Sequence, residues 1–151
     1  LLKRYYWLFG FAVIIGNLLW ILIFGVMKFE DLEVYKISMD VSDKIWEIVE
    51  TWDYFKKDTV GKQWVRAIDS VSSNINEGFG RNTYKDQRNF YYFSRGSLCE
   101  SKTWLEKSKR RKLINETTYN LLLNDFNILG IKLNNFINSV TRLMKTDIQT
   151  K

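Results

Sequence analysis

Trp64-Val65-Arg66-Ala67-Ile68-Asp69-Ser70-Val71-Ser72-Ser73-Asn74-Ile75-Asn76-Glu77-Gly78-Phe79-Gly80-Arg81 carries one apolar stripe: Trp64, Ile68, Val71, Ile75 and Phe79. Steps of three and four residues put these side chains on one face of an α-helix. Gly78 and Gly80 mark its end, because glycine terminates helices without a Cβ penalty. Arg66, Asn74 and Glu77 ride on the same helix.

The pattern continues on both sides. Upstream, Val34, Ile37, Val41, Ile45, Ile48, Trp52 and Phe55 make a second stripe, and Asp58-Thr59-Val60-Gly61 reads as the turn that separates the two helices. Downstream, Thr83 is the expected N-cap of a third helix, with Asp86 three residues later completing a capping box. Phe90, Phe93, Ser97, Trp104 and Leu105 are its expected inner face, and Lys109-Arg110-Arg111-Lys112 closes it, where cations favour a helix C-terminus. Tyr119, Leu122, Phe126, Leu129, Leu133, Phe136, Val140 and Leu143 form the seam of a fourth helix. Short connections between four such helices predict an all-α fold, an antiparallel up-down-up-down four-helix bundle over residues 27–146, followed by a tail at 147–151.

Residues 1–26 read differently. Trp7 to Val26 contains only one strongly polar side chain, Asn17, and predicts an extra N-terminal hydrophobic helix about 30 Å long, enough to cross a hydrocarbon core. Lys3, Arg4 and Lys28 flank it, and Tyr5, Tyr6 and Trp7 suit an interface. Two readings stand. The segment is a membrane anchor through residues 7–26, or it is upstream sequence translated from an over-extended frame, with the working protein beginning at Met27 and remaining cytoplasmic.

Composition excludes much chemistry. With no histidine among 151 residues, Ser-His-Asp and Cys-His catalysis and imidazole metal sites are ruled out. Cys99 is the only cysteine, so no intrachain disulfide forms, and its apolar flanks predict a small packed side chain. No catalytic, cofactor-binding or metal-binding residue is assigned, and no cofactor is expected. The absence of proline permits long helices, and a net charge of +6 favours phosphates or acidic surfaces as partners.

Three groups of residues are candidates for something more than core. Arg66, Asn74, Glu77 and Glu100 form a polar set, read as a partly buried ion-pair network that fixes helix register rather than as an acid–base pair. Gly96, Ser97 and Ser101 form a small-residue patch that admits a close helix neighbour. Arg81, Lys85, Arg88, Arg95, Lys102, Lys109, Arg110 and Arg111 form a basic set, with Lys85, Arg88, Arg95 and Lys102 able to share a helical face. Tyr84, Tyr91 and Tyr92 nearby give that face groups that stack on unpaired bases. The competing reading is a solvated face neutralised by Asp86, Glu100 and Glu106.

Several of these residues also carry a resemblance. Phe29-x-x-Leu32, Arg66-Ala67, Ser73-Asn74-x-x-Glu77-Gly78, Gly80-Arg81 and Gly96-Ser97-Leu98-x-Glu100 resemble, in order and interval, the four-helix-bundle family encoded in intervening sequences of bacterial 23S rRNA genes, which includes retroelement accessory proteins. The chain departs from it in having Val65-Arg66 where many relatives have Arg-Arg, and no proline before the second helix. The resemblance implies a four-helix bundle, a homo-oligomer in the form of a pentameric ring, and contacts with RNA, DNA or a reverse transcriptase. It implies no enzymatic activity. The expectation is a non-enzymatic bundle that binds structured RNA or a ribonucleoprotein through its basic surface, with a protein-binding scaffold or a membrane-anchored bundle as the alternatives.

Overall fold

The computed structural model of the chain describes residues 29–149. The expected N-terminal hydrophobic helix at 1–26 lies outside the described residues. Two compact units divide the chain after Leu32. The first contributes a short 3-10 turn, Phe29–Asp31, and the second is the helical bundle.

Four helices build that bundle: α1 (Glu33–Glu50), α2 (Lys62–Phe79), α3 (Tyr84–Arg110) and α4 (Glu116–Gln149). Each packs on its sequence neighbour, and α1 also packs on α4, which closes the up-down-up-down bundle. The core follows the apolar stripes. Ile45 of α1, Trp64, Ile68, Val71 and Ile75 of α2, Leu105 of α3, and Leu129 and Leu133 of α4 are all fully buried. Burial of each such side chain contributes about 1.5–3 kcal/mol, so the seams rather than surface pairs hold the helices together. Lys44–Asp125 at 2.7 Å and Lys132–Glu33 at 2.6 Å tie α1 to α4 at the surface, where ion pairs add little.

The expected turn at Asp58–Gly61 is helical instead. The chain reverses earlier, at Thr51–Asp53, because Asp53 caps a new helix by accepting the Lys56 N–H at 3.0 Å. Helix Tyr54–Lys56 then runs through a π turn, Lys57–Gly61, directly into α2. Gly61 is there for proximity, not for a turn: an added Cβ would lie 2.5 Å from Val49 Cγ1. Trp52 fills the reversal and stacks on Trp64 at 6.1 Å, whereas Phe55, expected on the buried stripe, is 73% exposed.

The other ends are also capped by side chains and backbone. Thr83 Oγ1 accepts the Asp86 N–H at 3.1 Å, the N-cap read from the sequence, and its hydroxyl rather than its backbone N–H donates to the Asp86 carboxylate, at 2.7 Å. Asn115 Oδ1 accepts the Thr118 N–H at 2.8 Å at the start of α4. At the end of α3, Leu113 N–H reaches the Ser108 carbonyl and Lys112 N–H the Lys109 carbonyl, both at 2.9 Å, with Lys112 at φ 58°. That is a Schellman closure with lysine where glycine is usual. The expected tail at 147–151 is helical as far as Gln149.

The inner face of α3 is not the expected one. Phe93 is exposed, and Phe90, Ser97 and Trp104 are half-buried. The buried stripe is Tyr91, Ser94, Leu98, Ser101, Leu105 and Ser108, one position away. Small serines let the backbones of α2 and α3 approach, and Ser94 Oγ donates to the Val71 carbonyl at 2.9 Å across that gap. On α4, Ile137 is buried, Phe136 only half-buried, and Leu143 exposed.

Candidate nucleic-acid interface

Seven-residue spacing places Arg88, Arg95, Lys102 and Lys109 in one line along α3, and two helical turns separate each from the next by about 10.5 Å. Arg88 and Arg95 bracket the exposed face of Tyr92, their guanidinium carbons 5.7 Å and 4.8 Å from the ring centre. Such pairs hold the guanidinium groups beside the ring. Arg95 is exposed, whereas Arg88 is half-buried and its Nε is buried without a hydrogen-bond partner among the described residues. Lys102 Nζ donates to Asn127 Oδ1 of α4 at 3.1 Å, a neutral partner that leaves the charge unbalanced. Lys85, three residues before Arg88, is exposed.

The remaining basic candidates are placed otherwise. Arg81 lies in the connection between α2 and α3, ion-paired with Glu77 and stacked over Phe90 at 4.4 Å. Lys109 bonds to Glu116 at 2.8 Å, and that carboxylate holds its ammonium above the usual range. Arg110 and Arg111 are exposed at the end of α3, and Arg111 is its C-cap. The structure therefore brings Lys85, Arg88, Arg95 and Lys102 into one basic edge, sets Lys109 there in neutralised form, and leaves Arg81, Arg110 and Arg111 outside it.

Two of the three carboxylates that would neutralise the edge are engaged elsewhere. Asp86 is held by Thr83, and Glu106 accepts a hydrogen bond from the Tyr119 hydroxyl, which raises the tyrosine pKa. Glu100 is exposed and makes no ion pair among the described residues. Tyr91, one of three tyrosines expected to face bases, is instead core: it is 1% exposed, packs on Phe136 at 4.7 Å, and burial pushes its pKa up to about 12.

Sequence reasoning missed the contribution of α4. Asn120, Asn127 and Asn134 recur every seven residues and are exposed, adding an amide row that Lys102 already contacts. The signal in the sequence is the seven-residue spacing itself.

The polar set is not brought together. Asn74 Nδ2 donates to the Ser70 carbonyl of its own helix at 2.7 Å, Glu77 pairs with Arg81, and Arg66 and Glu100 are exposed. No hydrogen bond or ion pair joins any two of the four. Helical phase explains this: their faces point to water, where carboxylates and guanidinium stay solvated at no desolvation cost. The small-residue patch also divides, with Ser101 fully buried and Gly96 exposed over open space. Cys99, expected as packed, is exposed on the outer side of α3. Among the described residues, no group of three or more carboxylate or thiol side chains is placed to hold a metal ion. No helix among them is long and apolar enough to cross a membrane.

The sequence profile of the 23S rRNA-intervening sequence proteins matches residues 30–135, most of the bundle. The chain belongs to that family. A similar fold occurs in a crystal structure from Bacteroides thetaiotaomicron, described as a protein of unknown function from the S23 ribosomal protein family. It is 23% identical, with a TM-score of 0.65, covering 70% of this chain and 95% of the other. No curated protein matches the chain. In this intervening-sequence protein, the Asn74-x-x-Glu77-Gly78 motif has a physical reading. Gly78 is buried against α3, where an added Cβ would sit 2.4 Å from Tyr91 Cε1, so the motif marks a close approach of α2 to α3.

Proposed function

We propose that this intervening-sequence family member is a non-enzymatic, cytoplasmic bundle that binds structured RNA along the α3–α4 edge and works as a homo-oligomer. The observation that carries the reading is the Arg88–Tyr92–Arg95 bracket, in which two guanidinium groups without carboxylate partners among the described residues flank an exposed ring. Cations of this kind contact phosphates, and the ring stacks on an unpaired base. Binding led by charge and shape is expected, because phosphate contacts position a nucleic acid without reading its sequence. The oligomeric part is supported by the family resemblance and by Leu121, Ile128 and Ile131, exposed apolar side chains on α4.

The test is binding of the full chain to an RNA hairpin with an unpaired loop and to a matched DNA duplex, across a salt series. A log–log salt slope of about −0.9 is expected per phosphate contact to duplex. Replacing Arg88 and Arg95 together by alanine flattens that slope by about two contacts. Tyr92→Ala weakens the hairpin by roughly 1–3 kcal/mol and the duplex little. Absence of binding at low salt, or an unchanged slope in the double variant, refutes the reading and leaves a protein-binding scaffold.

A further inference from the structure

Away from the α3–α4 edge, the junction of α1 with the π turn and α2 encloses a groove of about 420 Å³. Its floor is aliphatic, formed by Val49, Gly61 and Val65, and Trp46 makes one wall. Trp46 is 56% exposed, an unusual allocation for the largest apolar side chain when the core lies one helical face away. Around the rim stand Lys57, Lys62 and Arg66, opposed by Glu50. Asp58 reaches Lys62 at only 3.9 Å, and Arg66 has no ion-pair partner among the described residues.

Three features of this junction converge on one kind of ligand. The volume falls within the ~300–1,000 Å³ of formed binding clefts, and the lining is apolar with charge confined to the edge. An exposed tryptophan beside arginine is the composition of an interface hot spot. Lys57 lies about one turn into the continuous helical run that begins at Tyr54, where the macrodipole disfavours a cation and favours an anion, so a carboxylate supplied from outside relieves that cost. The π turn ends at Gly61, whose missing side chain lets the backbone sit against Val49 at the groove.

We infer that this groove docks an acidic amphipathic segment of a partner protein, one that inserts an apolar side chain against Trp46, Val49 and Val65 and sets carboxylates against Lys57, Lys62 and Arg66. Charge complementarity selects the acidic segment. The concave aliphatic floor argues against a nucleic-acid strand, which needs a track of cations with a flat stacking surface rather than cations ringing an apolar hole. The inference stands independently of the RNA-binding proposal, since the two use no residue in common.

The probe is a short fluorescein-labelled peptide with leucine and phenylalanine at helical spacing, flanked by glutamate. A control has lysine in place of each glutamate, and another has serine in place of each apolar anchor. Binding to the full chain is followed by fluorescence anisotropy. The acidic peptide is expected to bind at least about tenfold tighter than either control, a difference of about 1.4 kcal/mol. Trp46→Ala and Arg66→Glu each weaken it by about tenfold, and Arg66→Glu improves the basic control. Arg66 and Trp46 are exposed, so circular dichroism of both variants should match the wild type. Replacing Arg88 and Arg95 leaves peptide affinity unchanged whether or not RNA binds. Equal binding of acidic and basic peptides, no binding at low salt, or an unaffected Arg66→Glu variant overturns the inference. Displacement of the peptide by the RNA hairpin also overturns it, because the groove would then belong to a nucleic-acid surface.

Discussion

Replacing Gly78 by alanine tests the packing logic of the whole bundle. A methyl group there would lie 2.4 Å from Tyr91 Cε1, 2.9 Å from Cδ1 and 3.1 Å from the Gln87 carbonyl oxygen. Carbon atoms pack best at about 3.5–4.0 Å, so the first contact is more than an ångström too short. Tyr91 has nowhere to go: it is 1% exposed and its ring is held against Phe136. The cost therefore belongs at the upper end of overpacking, about 3 kcal/mol. Alanine returns about 1 kcal/mol of helix propensity, leaving a net loss of about 2 kcal/mol. Gly96→Ala is the internal control, because a Cβ at Gly96 meets nothing within 4 Å. There the propensity gain stands alone, and stability rises by up to about 1 kcal/mol. Urea denaturation reads both. With m near ~2 kcal/mol/M, Gly78→Ala lowers the midpoint by about 1 M and Gly96→Ala raises it, both with unchanged m. A Gly78→Ala midpoint equal to or above the wild type would show that α2 and α3 do not meet at Tyr91, and the reasoning would fail.

Two further outcomes follow from the same structure. Lys112 holds φ 58°, a region that costs a non-glycine residue about 1–2 kcal/mol, so Lys112→Gly should raise the thermal midpoint despite removing a charge. Tyr91 titrates at about 12 in the fold against about 10 when unfolded, so the folded state holds the proton more tightly. Its contribution is complete below pH 10 and is lost as pH rises through 12, about 3 kcal/mol in all. Tyr91→Phe should therefore show a shallower alkaline loss of stability between pH 10 and 12 than the wild type. Parallel denaturation curves for the two proteins across that window would contradict the assignment.

Where apolar residues alone decide burial, the sequence was enough to place the elements. Trp64, Ile68, Val71 and Ile75 form a regular stripe and are fully buried, and α4 follows its seam from Tyr119 to Val140 apart from the shift to Ile137. The Thr83 cap was legible because its chemistry is local, confined to four residues. The basic edge was half legible. Spacing along α3 grouped Lys85, Arg88, Arg95 and Lys102, but their partners lie on other residues and elements. Only contacts reveal that Glu116 neutralises Lys109, that Glu77 takes Arg81, and that Asn127 joins Lys102.

By itself, the sequence determined four amphipathic helices, their antiparallel order through short connections, and a chain without histidine chemistry. Period and composition are properties of neighbouring residues, so a linear reading captures them. Tertiary structure alone decided which face of α3 turns inward. Hydrophobicity pointed to Phe93, but close approach of α2 rewards Ser94, whose hydroxyl meets the Val71 carbonyl and whose small size lets the backbones draw together. It also decided that Gly61 serves contact with Val49 within a continuous helical run, and that Tyr91 belongs to the core while Tyr92 faces water. The reason is common to all three: each depends on how near a second helix comes, a distance that no single helix encodes.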